Sequence, residues 1–502
     1  MRRGTYSRRI GLVAAAIAVL LPPLSSAGDT ARPEPGAAGS WPAPNHDLAG
    51  TRDAGGTAMS TVAVKGLHRI WRFALPEPPT YSGVIAATPL VIGGEVYVQT
   101  LHSNVYALDA GTGHLDWSRR FRRTSGGPNG LAAAYGQLYG VTSTNVFALD
   151  RDTGRVTWSR RVTAGSAPLD VAPAVADGRV FVGTSAQTAG GKGSLLALDV
   201  RTGRVVWRRS LVRGAWADPK VASGGGVWWT PTIDRAGGLW VGTANPLPWG
   251  GTRALPNGGA YAGAALYTDS ILALTASTGR LRWYDQVTPH DVRDYDFALP
   301  PILARAGGRD LAIGGGKGGR VIAWDRRTRK RVWTASVGRH LHDTGALPAE
   351  PVVVCPGLLG GVLTPMALAR GRLFVPVVNL CMRGSATGYE SLSGVDYARR
   401  GRGRLTALDA ATGRSLWTRR LPSPVFGCAT AAGNAVFTTT YAGRVYALDQ
   451  RTGRILWSVQ EPAGSNACPA VADGLLIVPA GAEPTTIGTP TAVVDAYAVP
   501  AR

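Results

Sequence analysis

The chain has 502 residues, with 54 Lys plus Arg against 32 Asp plus Glu, for a formal net charge of +22. Hydrophobic residues make up 45% and charged residues 17%, ample material for a core, which excludes a disordered chain. Four Cys exclude a disulfide-built scaffold.

Arg2, Arg3, Arg8 and Arg9 precede an apolar run from Ile10 to Leu21 that Pro22 and Pro23 end. The run is shorter than the ~20 residues a spanning helix needs. With small residues at Ser25, Ser26 and Ala27, it predicts an export leader over 1–27 cleaved near Ala27, and no stable membrane insertion. The pair Arg8-Arg9 leaves both the general and the twin-arginine export routes open. A flexible segment is expected over 28–40.

From there the chain repeats itself. Ala107-Leu108-Asp109 with Thr112-Gly113 leads to Trp117, and Ala148-Leu149-Asp150 with Thr153-Gly154 leads to Trp158. Related copies end at Trp207, Trp283, Trp333, Trp417 and Trp457, seven in all. Each copy reads as a hairpin. A β-rich run such as Val105-Tyr106-Ala107-Leu108 meets an Asp that opens a turn, and Thr-Gly closes it with Gly free to take positive φ. The strand that follows alternates and carries the Trp, which is expected to fill the gap to the next sheet. Two more strands lie upstream of each copy, so the unit is a four-stranded antiparallel sheet. The Trp spacings of 41, 49, 76, 50, 84 and 40 fit units of ~40–45 residues with two long insertions.

Two loose ends remain. His68-Arg69-Ile70-Trp71-Arg72-Phe73 is a Trp strand without a sheet, and the stretch from Cys468 to Ala498 is a sheet without a Trp strand. Joined, they make an eighth unit. The expected fold is all-β: a single eight-bladed β-propeller over 41–502, closed by its N- and C-terminal strands, which removes exposed sheet edges. Arg pairs follow several of the Trp residues, at Arg119-Arg120, Arg160-Arg161, Arg208-Arg209 and Arg419-Arg420. They read as a solvated outer rim that follows the repeat, and no nucleic-acid partner is expected.

The repeat resembles that of the quinoprotein propellers, which bind pyrroloquinoline quinone (PQQ). Trp41, Asn45-His46-Asp47 and Thr51-Arg52 resemble the start of the polyvinyl-alcohol-dehydrogenase-like members. Three further segments extend the likeness. Val227-Trp228-Trp229-Thr230-Pro231 with Thr243-Ala244-Asn245-Pro246 is similar to the region where family enzymes place a Trp under the PQQ ring and an Asn oxygen on Ca2+. That implies Trp228 as platform and Asn245 as metal ligand. Trp283 to Asp296 resembles the family's W-x-Y-Q-x-T-P-H-D-x-W-D-Y-D, with Asp285 and Arg293 in place of its Tyr and Trp. The match makes Asp294 the catalytic base and a metal ligand. Within it, His290 reads as an ordering hydrogen bonder. Gly314 to Arg320 resembles the strand entry where a cation meets the reactive quinone oxygens, which implies Lys317 as a catalytic and cofactor-binding residue. Asn379 resembles the family's funnel Asn, one residue out of step, and is expected to bind cofactor.

The resemblance implies a secreted PQQ-dependent dehydrogenase oxidising a small or polymeric alcohol, with an external electron acceptor. The departures favour a non-catalytic scaffold that binds a protein or polymer. Gly183 to Thr188 holds no carboxylate where the family has a Glu ligand, so Ca2+ is the weaker cofactor expectation. There is no adjacent Cys pair and no C-x-x-C-H haem site. The four Cys suit an oxidising compartment. Cys428 and Cys468 begin similar strands on neighbouring units and are expected to pair, which leaves Cys355 to pair with Cys381.

Overall fold

The computed structural model describes residue 1 and residues 39–500, apart from 57, 166, 187–189, 214–222, 259–262 and 483–490. The expected leader, nearly all of the expected flexible segment, and Gln187 and Thr188 lie outside the described residues.

The chain is almost wholly β. A single α-helix, Gly394–Arg400, occurs among the described residues, and a capping box at Ser393 and Asp396 starts it. Eight four-stranded antiparallel sheets follow one another. In chain order their Trp-bearing edge strands are Leu115–Arg119, Val156–Arg161, Val205–Ser210, Leu281–Gln286, Arg331–Ser336, Ser415–Leu421 and Ile455–Gln460. The eighth sheet takes its fourth strand from the other end of the chain: His68–Ala74 pairs with Val493–Ala498. The two loose ends of the sequence do combine.

The repeat has a local cause. In the first sheet, Asp109 Oδ1 accepts from the Thr112 backbone N–H at 2.8 Å and from Thr112 Oγ1 at 2.7 Å. Asp150, Asp199, Asp409 and Asp449 bind their Thr in the same way. Gly113 then sits at φ 73°. A Cβ on it would come within 2.6 Å of the Trp71 ring, and one on Gly154 within 2.3 Å of Trp117. Gly is therefore required twice over, by the backbone and by the Trp of the preceding sheet. The Trp completes the contact by donating from Nε1 to a carbonyl of that next sheet. Trp71 reaches Ala110, Trp158 reaches Val200, and Trp333 reaches Ala410. Burying such a ring contributes up to roughly 4 kcal/mol.

A segment before the first sheet crosses the inner strands. Trp41 bridges Val91 of the first sheet, and the Ala133 N–H of the second donates to Pro42 O. Ile233, Leu303, Leu368 and Ala431, from the fourth to the seventh sheets, donate in turn to the carbonyls of Leu48, Ala49, Thr51 and Arg52. Arg52 is fully buried and donates to Ala429 O, Thr430 Oγ1 and Pro469 O, with its guanidinium 5.2 Å from the Trp41 ring centre. The disulfides are Cys428–Cys468 and Cys355–Cys381, as expected.

Candidate active site

The fourth and fifth sheets build the site. After the strand Leu281–Gln286 the chain turns through His290 and Asp294, both with positive φ (55° and 60°). Asp tolerates this region better than most residues because its short side chain bonds locally. Asp291 fixes the turn by accepting from the Arg293 and Tyr295 backbone N–H groups at 2.8 and 2.7 Å. His290 holds the carbonyls of Asn257 and Gly263, so it orders the loop. Lys317 lies in the tight link between the strands Arg309–Gly315 and Arg320–Asp325, and its N–H donates to Asp296 O at 2.9 Å. A Cβ on Gly316 would come within 2.5 Å of that same carbonyl, so glycine beside Lys317 lets the two segments touch.

The side chains meet there. Lys317 Nζ is 2.9 Å from Asp294 Oδ2 and 2.6 Å from Asp296 Oδ2. Asp296 Oδ1 accepts from the Asn245 backbone N–H at 2.7 Å. Burial disfavours the Lys317 ammonium, but the two carboxylates outweigh it and raise its pKa. Burial pushes Asp294 up to about 8; Lys317 opposes this and the like charge of Asp296 adds to it. Burial also takes Asp291 up to about 6, against its two backbone hydrogen bonds. Asp269 is fully buried with both carboxylate oxygens unpartnered. Its burial, then the charges of Asp291, Asp296 and Asp294, raise it well above the usual carboxylate range.

Lys317 and Asp296 line a cavity of about 370 Å³. Trp228 and Trp229 form part of its wall, with Leu299, Val362, Leu363 and Phe426. A Cβ on Gly127 would clash with Asp170 at 2.6 Å and lie 3.4 Å from the Trp228 ring, so glycine there lets the backbone pass close beside that ring. The structure thus brings Trp228 and Lys317 to one cavity, with Asp294 bonded to Lys317 and Asn245 behind Asp296. Asn379, like Asp294 and Asn245, is not among the residues that line the cavity, and no contact joins it to Lys317. Asn379 ends the strand Arg372–Asn379, pairs with Arg402, and aims its Oδ1 near Gly338.

Sequence reasoning overlooked Asp296 as a site residue. The signal was present: in Asp294-Tyr295-Asp296 the two acids lie two residues apart. Asp269 had no comparable signal.

For a metal, the donor set is thin. Among the described residues no three His, Cys, Asp or Glu side chains gather closely enough to hold an ion. The ammonium of Lys317 already takes the cation position between the two carboxylates. Gly183 to Ala186 brings no acid. The residues present do not fit Ca2+. They do fit a planar quinone: an aromatic wall, apolar surroundings and one cation, with Ser82, Thr364 and Asn466 as polar contacts.

Comparison with known proteins agrees with the repeat. A family model described as the outer membrane protein assembly factor BamB matches residues 60–219 and 317–487, more than half of the chain. A second, for the β-propeller domain of glucose, ethanol and alcohol dehydrogenases, matches 160–336. The quinohemoprotein alcohol dehydrogenase of Comamonas testosteroni is 28% identical over 82% of this chain and 68% of its own length. The quinoprotein alcohol dehydrogenase PedH of Pseudomonas putida is 28% identical over 40% of this chain, and the match spans only 39% of that relative. Among solved structures, the Comamonas testosteroni enzyme superposes with a TM-score of 0.78 at 25% identity, over 92% of this chain and 81% of that one. A quinohemoprotein alcohol dehydrogenase of Pseudomonas putida HK5 gives 0.80 at 23% identity, over 93% and 81%, a likeness of fold. The chain belongs to the β-propeller family of PQQ-dependent alcohol-dehydrogenase-like proteins.

Proposed function

We propose that the protein is a PQQ-dependent dehydrogenase that oxidises an alcohol. The observation that carries this is the Lys317 ammonium held between Asp294 and Asp296, with Lys317 and Asp296 in the wall of a cavity that Trp228 also lines. The eight sheets act as the blades of one closed ring, supported by the chain of Trp contacts and by the shared eighth sheet. When bound, PQQ supplies an electrophilic quinone that accepts hydride. The residues do the rest. Trp228 offers a flat apolar wall to the ring, and Lys317 supports the negative charge that develops at an adjacent oxygen. Asp294 Oδ takes the proton of the alcohol hydroxyl. Asp296 and the Asn245 N–H hold Lys317 in position.

No step is routed through Ca2+. Electrons leave to an external acceptor, because the chain has no haem motif. The two disulfides suit an extracytoplasmic site of action, which agrees with the expected leader.

A second reading, a non-catalytic scaffold, has the assembly-factor family model and the thin metal donor set in its favour. Calorimetric titration with PQQ, with and without Ca2+, separates the two. Binding at micromolar PQQ is expected, and its absence leaves the scaffold. If PQQ binds, Asp294→Asn should reduce dye-linked alcohol oxidation by at least ~10²-fold while PQQ affinity stays within about threefold. Retained turnover would remove Asp294 from the mechanism.

A further inference from the structure

The arginines that follow the Trp residues are not spread evenly. Arg119-Arg120, Arg160-Arg161 and Arg208-Arg209 stand at or beside the ends of the fourth strands of the first three sheets. Those of the fourth, fifth, seventh and eighth end in Asp285-Gln286, Ala335-Ser336, Val459-Gln460 and Phe73-Ala74. The sixth carries a fourth pair, Arg419-Arg420, so three of the four pairs fall on consecutive sheets, which the repeat alone does not explain.

Between the second and third sheets lies a groove of about 530 Å³ whose wall includes Arg161, Thr163, Gly190, Lys192 and Arg208. Among the described residues, three cations line it and no carboxylate does. Arg161 comes from the end of a strand, Lys192 from the loop before Ser194–Asp199, and Arg208 from the next sheet. Two of them are held in place. Arg161 Nε donates to Thr163 O at 3.4 Å, and Arg208 Nη2 donates to Val162 O. Among the described residues neither guanidinium makes a second hydrogen bond or pairs with a carboxylate. Three like charges this close are mutually repulsive, and a bound anion relieves that. Exposed Arg120, Arg122 and Arg123 continue the positive surface onto the first sheet.

We propose that this groove binds the oxyanion groups of a linear anionic polymer, with the arginines of the first sheet taking successive groups. Guanidinium forks match sulfate, phosphate and carboxylate geometry. A folded acidic protein is disfavoured, because a protein interface needs an apolar or aromatic centre. Of the described aromatic side chains beside these arginines, Trp158 and Trp207 are turned onto the neighbouring sheets, and Phe121 is half-buried and stacks on Phe147 at 4.3 Å. The site is independent of the cavity at Lys317 and stands or falls without it.

The test is fluorescence anisotropy of the full chain with labelled heparin, a sulfated polymer, at low and high salt. Binding at low salt that weakens steeply as salt rises is expected. Replacing Arg161, Lys192 and Arg208 together by Ala should weaken it about tenfold or more. The control Arg414→Ala, Arg419→Ala, Arg420→Ala on the sixth sheet carries the same charge change and should lose less than about threefold. Equal losses in both variants, or no binding by the parent chain, overturn the proposal. Competition separates a polymer site from a site for single anions. Tripolyphosphate should displace heparin far better than monomeric phosphate; equal potency per charge overturns the polymer assignment. If the triple variant has a lowered thermal midpoint, the milder pair Arg161→Gln, Arg208→Gln replaces it, with a loss of about threefold or more expected and an unchanged affinity counting against the groove.

Discussion

Arg72 clasps Asp495 through two hydrogen bonds, Nε to Oδ1 at 2.8 Å and Nη2 to Oδ2 at 2.6 Å, and so ties the first strand of the chain to the last. Asp495 is fully buried, while the Arg72 side chain is a third exposed. Removing the arginine leaves this buried carboxylate only the half-exposed Arg69, at 3.5 Å, so the loss approaches the roughly 3–5 kcal/mol typical of a broken buried pair. Arg72→Met should therefore lower the denaturant midpoint strongly. The double variant Arg72→Met, Asp495→Leu should recover much of the loss, because neither charge is then left alone. A double variant no better than Arg72→Met would show that the pair does not act as a unit.

Beside this pair sits Glu461, with its Oε1 accepting from Tyr497 Oη at 2.7 Å and its Oε2 3.4 Å from Arg72. Burial, and then the charge of Asp495, push its carboxyl up to about 8 from 4.5. The folded state thus holds a proton that the unfolded chain releases. The associated stability is fully present below pH ~4.5 and is lost as pH rises through about 8. Unfolding midpoints of the parent chain should fall between pH ~4.5 and about 8, and Glu461→Gln should flatten that fall. An identical slope in the variant would assign the pH dependence to other groups.

Asp294 and Lys317 predict a pH profile for turnover. The base must be deprotonated, and burial takes Asp294 up to about 8. Activity should rise with pH through that value. Lys317→Ala removes the charge that opposes this shift and leaves Asp294 next to Asp296, so the rise should move to higher pH. PQQ affinity should fall about tenfold or more as the cation is lost. A variant with an unchanged profile and unchanged affinity would take Lys317 out of the site.

How much of this could be read from the sequence follows from how local each cause is. The Asp109–Thr112 turn, Gly113 and the Trp strand act within a dozen residues and recur, so the repeat states them plainly. The join of His68–Ala74 to the C-terminal strand was legible because each loose end lacked what the other had. Asp294 and Lys317 came from motif likeness and do meet. Asn379 came from a likeness one residue out of step, and its strand pairing with Arg402 sets its side chain near Gly338, off the cavity wall. Asp269 could not be found, because its burial among Asp291, Asp294 and Asp296 arises from the pairing of Ser270 with Gln286 and the loop after it, which no motif marks.

Arg52 makes the same point at longer range, and it carries the last prediction. Its partners Ala429, Thr430 and Pro469 lie 377 to 417 residues away, next to Cys428 and Cys468, which join the seventh and eighth sheets. The side chain has no carboxylate partner in the structure's ion pairs, and burial alone lowers its pKa to about 9. Carbonyls therefore hold a nearly desolvated cation over Trp41. Arg52→Met keeps the volume but leaves those carbonyls unpaired, at about 1–3 kcal/mol for each group that water cannot reach. Arg52→Lys should rescue only part of this, because one ammonium cannot follow the planar fork. Cys428→Ser with Cys468→Ser removes a link that closes a 40-residue separation, worth roughly 3–4 kcal/mol. Because both features tie the same two inner strands to each other or to the N-terminal segment, their losses should couple. Combining Arg52→Met with the two serines should cost a different amount from the sum of the separate losses by about 0.5 kcal/mol or more in chemical denaturation. Strict additivity would mean that the N-terminal segment is anchored independently of the disulfide beside it.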